Sequence, residues 1–156
     1  MSRAVVLLLV AACAHAPPRA TVLGGKRVGL GELVGDSEVK AVLKDALAES
    51  FELDSANPPL HLHVDATMSG FDEPVNVLGQ GMTARSPMMP VQYRRVQTMR
   101  ATLRLVEDAT GEVLATGVYE LVEKGPERPR EARATDELGI ILARRVVRAF
   151  IEEHKL

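Results

Sequence analysis

The hydrophobic pattern predicts an α+β domain: a two-layer sandwich, β-α-β-β-β-α, with two helices on one face of a four-stranded sheet. Three observations predict it. Residues 37–50 and 135–153 carry apolar side chains at 3.6-residue spacing. Residues 60–68, 93–107 and 112–123 alternate apolar with polar. Asp108 to Gly111 separate the last two stretches as a turn ending in glycine. At 156 residues the chain holds one core.

Lys26 to Leu33, with Val28 and Leu30 in alternation, reads as a short first strand weakened by Gly29 and Gly31. Gly35 and Asp36 interrupt it, and Asp36 is placed to cap a helix over residues 37–50 with Glu38 in its first turn. Val39, Val42, Leu43, Ala46 and Leu47 form the apolar face of that helix, opposite Lys40, Lys44, Asp45 and Glu49. Asp54 to Pro59 is a connection, because Pro58 and Pro59 cannot extend a helix. Leu60, Leu62, Val64, Ala66 and Met68 then alternate with His61, His63, Asp65 and Thr67 as a half-buried strand.

Residues 69–92 contain Gly70, Gly79, Gly81, Pro74, Pro87 and Pro90 and read as a long loop, with room for a short edge strand at Val75 to Leu78. Its Met82, Met88 and Met89 suit either a docking surface for a membrane barrel or a variable connection. For the hairpin, a three-residue loop Ala109 to Gly111 pairs Asp108 with Glu112. Leu105 then faces Ala115, Leu103 faces Gly117, Ala101 faces Tyr119 and Met99 faces Leu121, large against small. A loop one residue longer would set Met99 against Glu120. Lys124 to Arg133 reads as a loop, and Thr135 as the cap of a final helix with Leu138, Ile141, Leu142, Val146, Ala149 and Phe150 on its apolar face.

The first residues speak to location. Arg3 precedes the apolar run Ala4 to Val10, which is far shorter than the roughly 20 residues that span a bilayer, and so reads as a signal peptide. Val10, Ala11, Ala12 and Cys13 resemble the lipobox of bacterial lipoproteins. That resemblance implies removal of residues 1–12, lipid on Cys13, a tether over residues 13–25 containing Pro17 and Pro18, and one periplasmic domain over 26–156. Cleavage without lipidation, or a buried first strand at Ala4 to Val10, are the competing readings.

Composition narrows the function. The formal charge of −2, or −3 without Arg3, provides no basic field for nucleic acid. Tryptophan is absent and aromatic residues are 3%, too few for a base-stacking or sugar-binding surface. One cysteine excludes an internal disulfide. No phosphate-cradling glycine loop and no nucleophile elbow appears, and no cofactor is implied.

Two polar groups remain as candidate sites. His61, His63 and Asp65 share one strand face at about 7 Å spacing and look like the His-x-His-x-Asp start of some metal-dependent hydrolases. No further ligand cluster accompanies them, so a solvated strand face is the plainer reading and no metal is assigned. Arg94, Thr98, Arg100, Thr102 and Arg104 form a basic row on the outer sheet face, suited either to phosphate and acidic headgroups or to cross-strand pairing, with Arg100 opposite Glu120 and Arg104 opposite Thr116.

From Arg27 and Val28 through the helix at Ser37 to Ser50, the Thr110-Gly111 hairpin and the closing helix, the layout resembles the lipopolysaccharide-assembly (LptE-like) lipoproteins of Gram-negative envelopes. The resemblance implies a non-enzymatic assembly or structural partner of an envelope machine, with lipopolysaccharide export foremost. It implies an anchor at Cys13 on the periplasmic face of the outer membrane, Ala14 standing where, in such lipoproteins, aspartate directs retention at the inner membrane. The expected partners are the membrane itself, an outer-membrane barrel or other envelope protein, and lipopolysaccharide. A lipoprotein binding a small anionic ligand or glycolipid at Arg94, Arg100 and Arg104 is the second reading, and a hydrolase at His61, His63 and Asp65 the third.

Overall fold

In the computed structural model, residues 27–54, 56–75, 92–129 and 137–156 are described. The expected signal peptide, Cys13, the tether, Met82, Met88, Met89 and the cap at Thr135 lie outside them. The elements are β1 (Val28–Val34), α1 (Ser37–Ser50), β2 (Leu60–Val75), β3 (Gln92–Glu107), β4 (Glu112–Pro129) and α2 (Glu137–His154). They form one sheet in the order β1-β2-β3-β4, with β1 parallel to β2 and the other pairs antiparallel. The α+β plan read from the sequence is the plan observed.

Entry into α1 follows from two residues. Gly35 adopts φ 146°, where a Cβ would stand 2.7 Å from the Ala66 carbonyl oxygen, so only glycine fits. Asp36 then accepts the Val39 N–H at 2.9 Å, capping the helix as its position predicts. The buried residues of α1, Val39, Leu43, Ala46 and Leu47, belong to the expected face. In α2 the face is turned from the expected one. Gly139, Ala143 and Val147 are buried beside Leu138, Leu142, Val146 and Phe150, while Ile141 is exposed and Ala149 half-buried. Small residues set this rotation. A Cβ at Gly139 would lie 3.3 Å from Met68 Sδ and 3.9 Å from Val42 Cγ1, so α2 approaches both the sheet and α1 along its small side.

The core lies between the helices and the inner sheet face. Leu60, Leu62, Val64 and Ala66 of β2 and Met99, Ala101, Leu103 and Leu105 of β3 meet Leu43, Leu47, Leu142, Val146 and Phe150 there. Burying one such side chain is worth about 1.5–3 kcal/mol. The expected facing pairs, from Leu105 with Ala115 to Met99 with Leu121, are all present. The turn itself differs. Glu107, not Asp108, pairs with Glu112, so the loop is one residue longer, with Gly111 at φ 69° donating its N–H to the Glu107 carbonyl at 2.8 Å. A β-bulge takes the extra residue back: Val106 pairs with Val113 and Leu105 with Ala115, leaving Leu114 over.

Two expected loops are corrected. β2 runs on to Val75 instead of ending at Met68, and β4 runs on to Pro129 instead of ending at Glu123. Pro74 and Pro126 do not stop them because both sit on open edges. Among the described residues, β1 pairs with β2 only as far as Asp65, and β4 has no neighbour beyond it. In place of apolar alternation, charges cross the strands: Asp72 with Arg128 at 2.8 Å and with Arg95 at 3.8 Å, and Glu73 with Lys124 at 3.3 Å.

The two helices are also joined by charge, Arg144 donating to Glu49 through Nε at 2.8 Å and Nη2 at 2.7 Å. Those hydrogen bonds, with the guanidinium charge, hold the Glu49 carboxyl below the usual carboxylate range. Its contribution is therefore present at neutral pH and lost as acid protonates the folded state. Denaturant midpoints should fall less steeply below that range in Glu49→Gln than in the parent, by a small amount for so exposed a pair. Asp36→Ala should lower stability by about 1 kcal/mol, measured by urea unfolding.

Candidate functional site

The outer sheet face carries the functional candidates, because the inner face is filled by the core. The pleat sends His61, His63, Asp65, Thr67, Phe71 and Glu73 of β2 outward. Alongside them stand Arg94, Arg100, Thr102 and Arg104 of β3, and Thr116, Val118, Glu120 and Val122 of β4. The sequence placed both candidate groups on this face, and the structure puts them there. It also shows what each is bonded to.

His61 and His63 do not stand free in water. Each lies across a glycine of β1, His61 over its ladder partner Gly29 and His63 over Gly31. A Cβ at Gly29 would meet the His61 ring at 3.1 Å and Pro58 Cγ at 2.3 Å, and a Cβ at Gly31 would meet the His63 ring at 2.8 Å. The ladder slips between Leu30 and Leu33, and the Glu32 N–H in that slip donates to His63 Nδ1 at 3.1 Å. His63 Nδ1 is therefore an unprotonated acceptor, with the ring proton on Nε2. His61 Nδ1 lies 2.6 Å from Asp108 Oδ1 in the hairpin turn, whose backbone N–H donates to the Pro59 carbonyl at 3.1 Å. Asp65 is exposed beside Thr102. Among the described residues no three His, Cys, Asp or Glu side chains converge on a point where a metal would sit. The histidines fasten the edge strand and the turn.

The basic row is largely committed as well. Arg100 and Glu120 form a two-point pair, Nε to Oε2 at 3.1 Å and Nη2 to Oε1 at 3.2 Å. Arg94 reaches Glu127 at 3.2 Å on one side and Glu73 at 3.7 Å on the other. The second contact is too long for a hydrogen bond, and Arg94 Nε is buried without one. Arg104 lies between His63 and Thr116 with no carboxylate within ion-pair distance among the described residues. Of Arg94, Arg100 and Arg104, one guanidinium remains for a ligand. Exposed pairs of this kind contribute about 0.2–1 kcal/mol each, so they shape charge more than stability.

Exposed apolar side chains lie among these pairs: Val118 is 78% accessible, Phe71 59% and Val122 49%. The sequence held a signal for them, since Val118 and Val122 fall on the polar side of the alternation, but the arginine row of β3 dominates a reading of that face. At the helix side of β4, Tyr119 donates its hydroxyl to Glu153 at 2.5 Å, and burial together with that carboxylate raises the phenol far above its usual range.

No known family profile and no curated sequence matches the chain. Among solved structures it is similar to a minor lipoprotein from Acinetobacter baumannii, at 16% identity over 82% of this chain and 94% of that one, with a TM-score of 0.47. It is similar also to rare lipoprotein B from Shewanella oneidensis, at 11% identity over 80% of this chain and 96% of that one, with a TM-score of 0.47. At such identities and scores the likeness assigns no chemistry to this chain.

The histidine seats are testable by a double-mutant cycle. Gly31→Ala should destabilise by about 1–3 kcal/mol, because the methyl displaces the His63 ring from the Glu32 N–H. The same change in a His63→Ala background should cost clearly less, and urea unfolding of the four proteins measures the difference.

Proposed function

We propose that this chain is a non-enzymatic, lipid-anchored envelope protein whose outer sheet face docks a protein partner. The observation that carries this reading is the face itself. Its arginines are largely neutralised from within by Glu120, Glu127 and Glu73, and Phe71, Val118 and Val122 stand exposed among them. A surface for capturing anions would leave its guanidinium groups free. A surface with paired charges and protruding apolar groups is suited to burial against another protein.

The anchor in this reading is Cys13, following Val10, Ala11 and Ala12 after an apolar run too short to cross a bilayer. Among the described residues, no helix is long and apolar enough to cross a membrane. In this reading attachment rests on the lipid, and Ala14 favours the outer membrane, with the domain on its periplasmic side. The partner is an outer-membrane barrel, and the machine is that of lipopolysaccharide export, as the layout suggests. Binding of anionic glycolipid at Arg94, Arg100 and Arg104 is the weaker alternative, since among the described residues Arg104 alone of the three has no carboxylate partner.

Purification of the full-length tagged protein from detergent-solubilised envelopes, with mass spectrometry of everything recovered, is the test. The bait should begin at acylated Cys13 and bring one barrel in stoichiometric amount. Phe71→Asp should reduce the barrel recovered by about tenfold or more, as loss of a central apolar contact does, and Arg100→Ala should reduce it far less. A bait beginning at Met1 refutes the anchor. An acylated bait recovered alone refutes the docking role.

A further inference from the structure

The two edges of the sheet are finished differently. At β1 the strand is short, slipped between Leu30 and Leu33, and joined on its far side by Leu53 and Asp54: Val28 bridges to Leu53, and the Asp54 N–H donates to the Val28 carbonyl at 2.9 Å. Such features keep an edge from accepting another strand. β4 lacks them over much of its length. His154 Nε2 donates to the Thr116 carbonyl at 3.0 Å from outside the sheet, so the Thr116 backbone points away from β3. By alternation the N–H and C=O of Val118, Glu120, Val122 and Lys124 point the same way, and no described residue bonds to them. His154 closes this open stretch at one end, and the ladder irregularity between Arg94 and Val96, beside Gly125 and Pro126, closes it at the other.

We infer that the open stretch Val118 to Lys124 pairs antiparallel with the same stretch of a second copy, about a two-fold axis at Leu121. The midpoint of the stretch fixes the axis, since any other centre runs into His154 or Pro126. A centre at Glu120 would also set two carboxylates face to face. With the axis at Leu121, Leu121 meets its counterpart on the helix side. On the outer face Glu120 lies opposite Val122 of the second copy and diagonal to its Lys124.

The helix layer has the same centre. Arg145 of α2 bonds Glu123, and Glu153 accepts from Tyr119, so the helix level between them, Ala149, lies over Leu121. That residue is small, and it is only half-buried. About the same axis, Arg145 of one helix falls level with Glu153 of the other. Side-chain volume and charge therefore agree with the backbone on one centre, and the occupant is the chain itself. Pairing would make one continuous sheet and carry two Cys13 anchors on one body.

Sedimentation equilibrium of the full-length protein in density-matched detergent tests this. Twice the protein mass is expected. Val122→Pro removes an outward N–H that β3 does not use, and should weaken association about tenfold or more, whereas Val122→Thr keeps the donor and the dimer. Under mild oxidation Leu121→Cys should give a disulfide-linked dimer, its Cα atoms being about 4.5 Å apart at a non-hydrogen-bonded pair. Val113→Cys and the parent with Cys13 should not. If Val122→Pro fails to fold by circular dichroism, the cysteine variants decide. Monomer mass at all concentrations, undiminished association of folded Val122→Pro, or equal linking at Val113→Cys overturns the inference.

Discussion

Strand β3 is hydrogen-bonded on both sides for nearly its whole length, to β2 from Gln92 to Glu107 and to β4 over almost the same span. Its pleat therefore sorts every neighbouring side chain. Once Leu103 and Met99 point at the helices, Arg100 and Arg104 must point away, and their cross-strand partners with them. The core and the outer face are two outcomes of that alternation, so a slip of one residue would bury arginines and expose leucines. The bulge at Leu114 protects this arrangement. It absorbs the surplus residue of the turn before the apolar pairs begin.

The same logic explains how much could be read beforehand. Elements with an apolar period were legible: α1, the first half of β2, β3 and the start of β4. The facing pairs were legible too, because Gly117 opposite Leu103 and Ala115 opposite Leu105 leave little choice of packing. The extensions of β2 and β4 were not, because there the alternation is between charges, and Gly70, Pro74 and Pro126 look like breakers until one knows they lie on open edges. For α2, periodicity of the large residues points to Ile141, which is exposed, and passes over Gly139 and Ala143. Gly139 and Ala143 are buried because they are small, and hydrophobic periodicity gives such residues little weight.

For the outer face, the sequence showed which residues face together but not which are available. His61 and His63 resembled the start of a metal site, and only the parallel strand beside them shows that Gly29 and Gly31 are their seats. The pairing of Arg100 with Glu120 follows from register, whereas Glu73 and Glu127, the partners of Arg94, lie in stretches whose sequence reads as loop. A row of like charges in one strand says little until its neighbours across the ladder are known. The accessible valines emerge as the distinctive feature once those charges are paired.

The parallel pairing of β1 with β2 bears on how the chain reaches this state. β2, β3 and β4 form a meander whose contacts are close in sequence, whereas β1 must wait for α1 to cross over before it meets its place. Contacts of low sequence separation form soonest, because less loop entropy is lost in closing them. The meander is thus the natural nucleus, and β1, with its glycines under the imidazoles, is the natural last piece. In a polypeptide that is translocated with its N-terminus leading, the strand that emerges first would be the one that docks last.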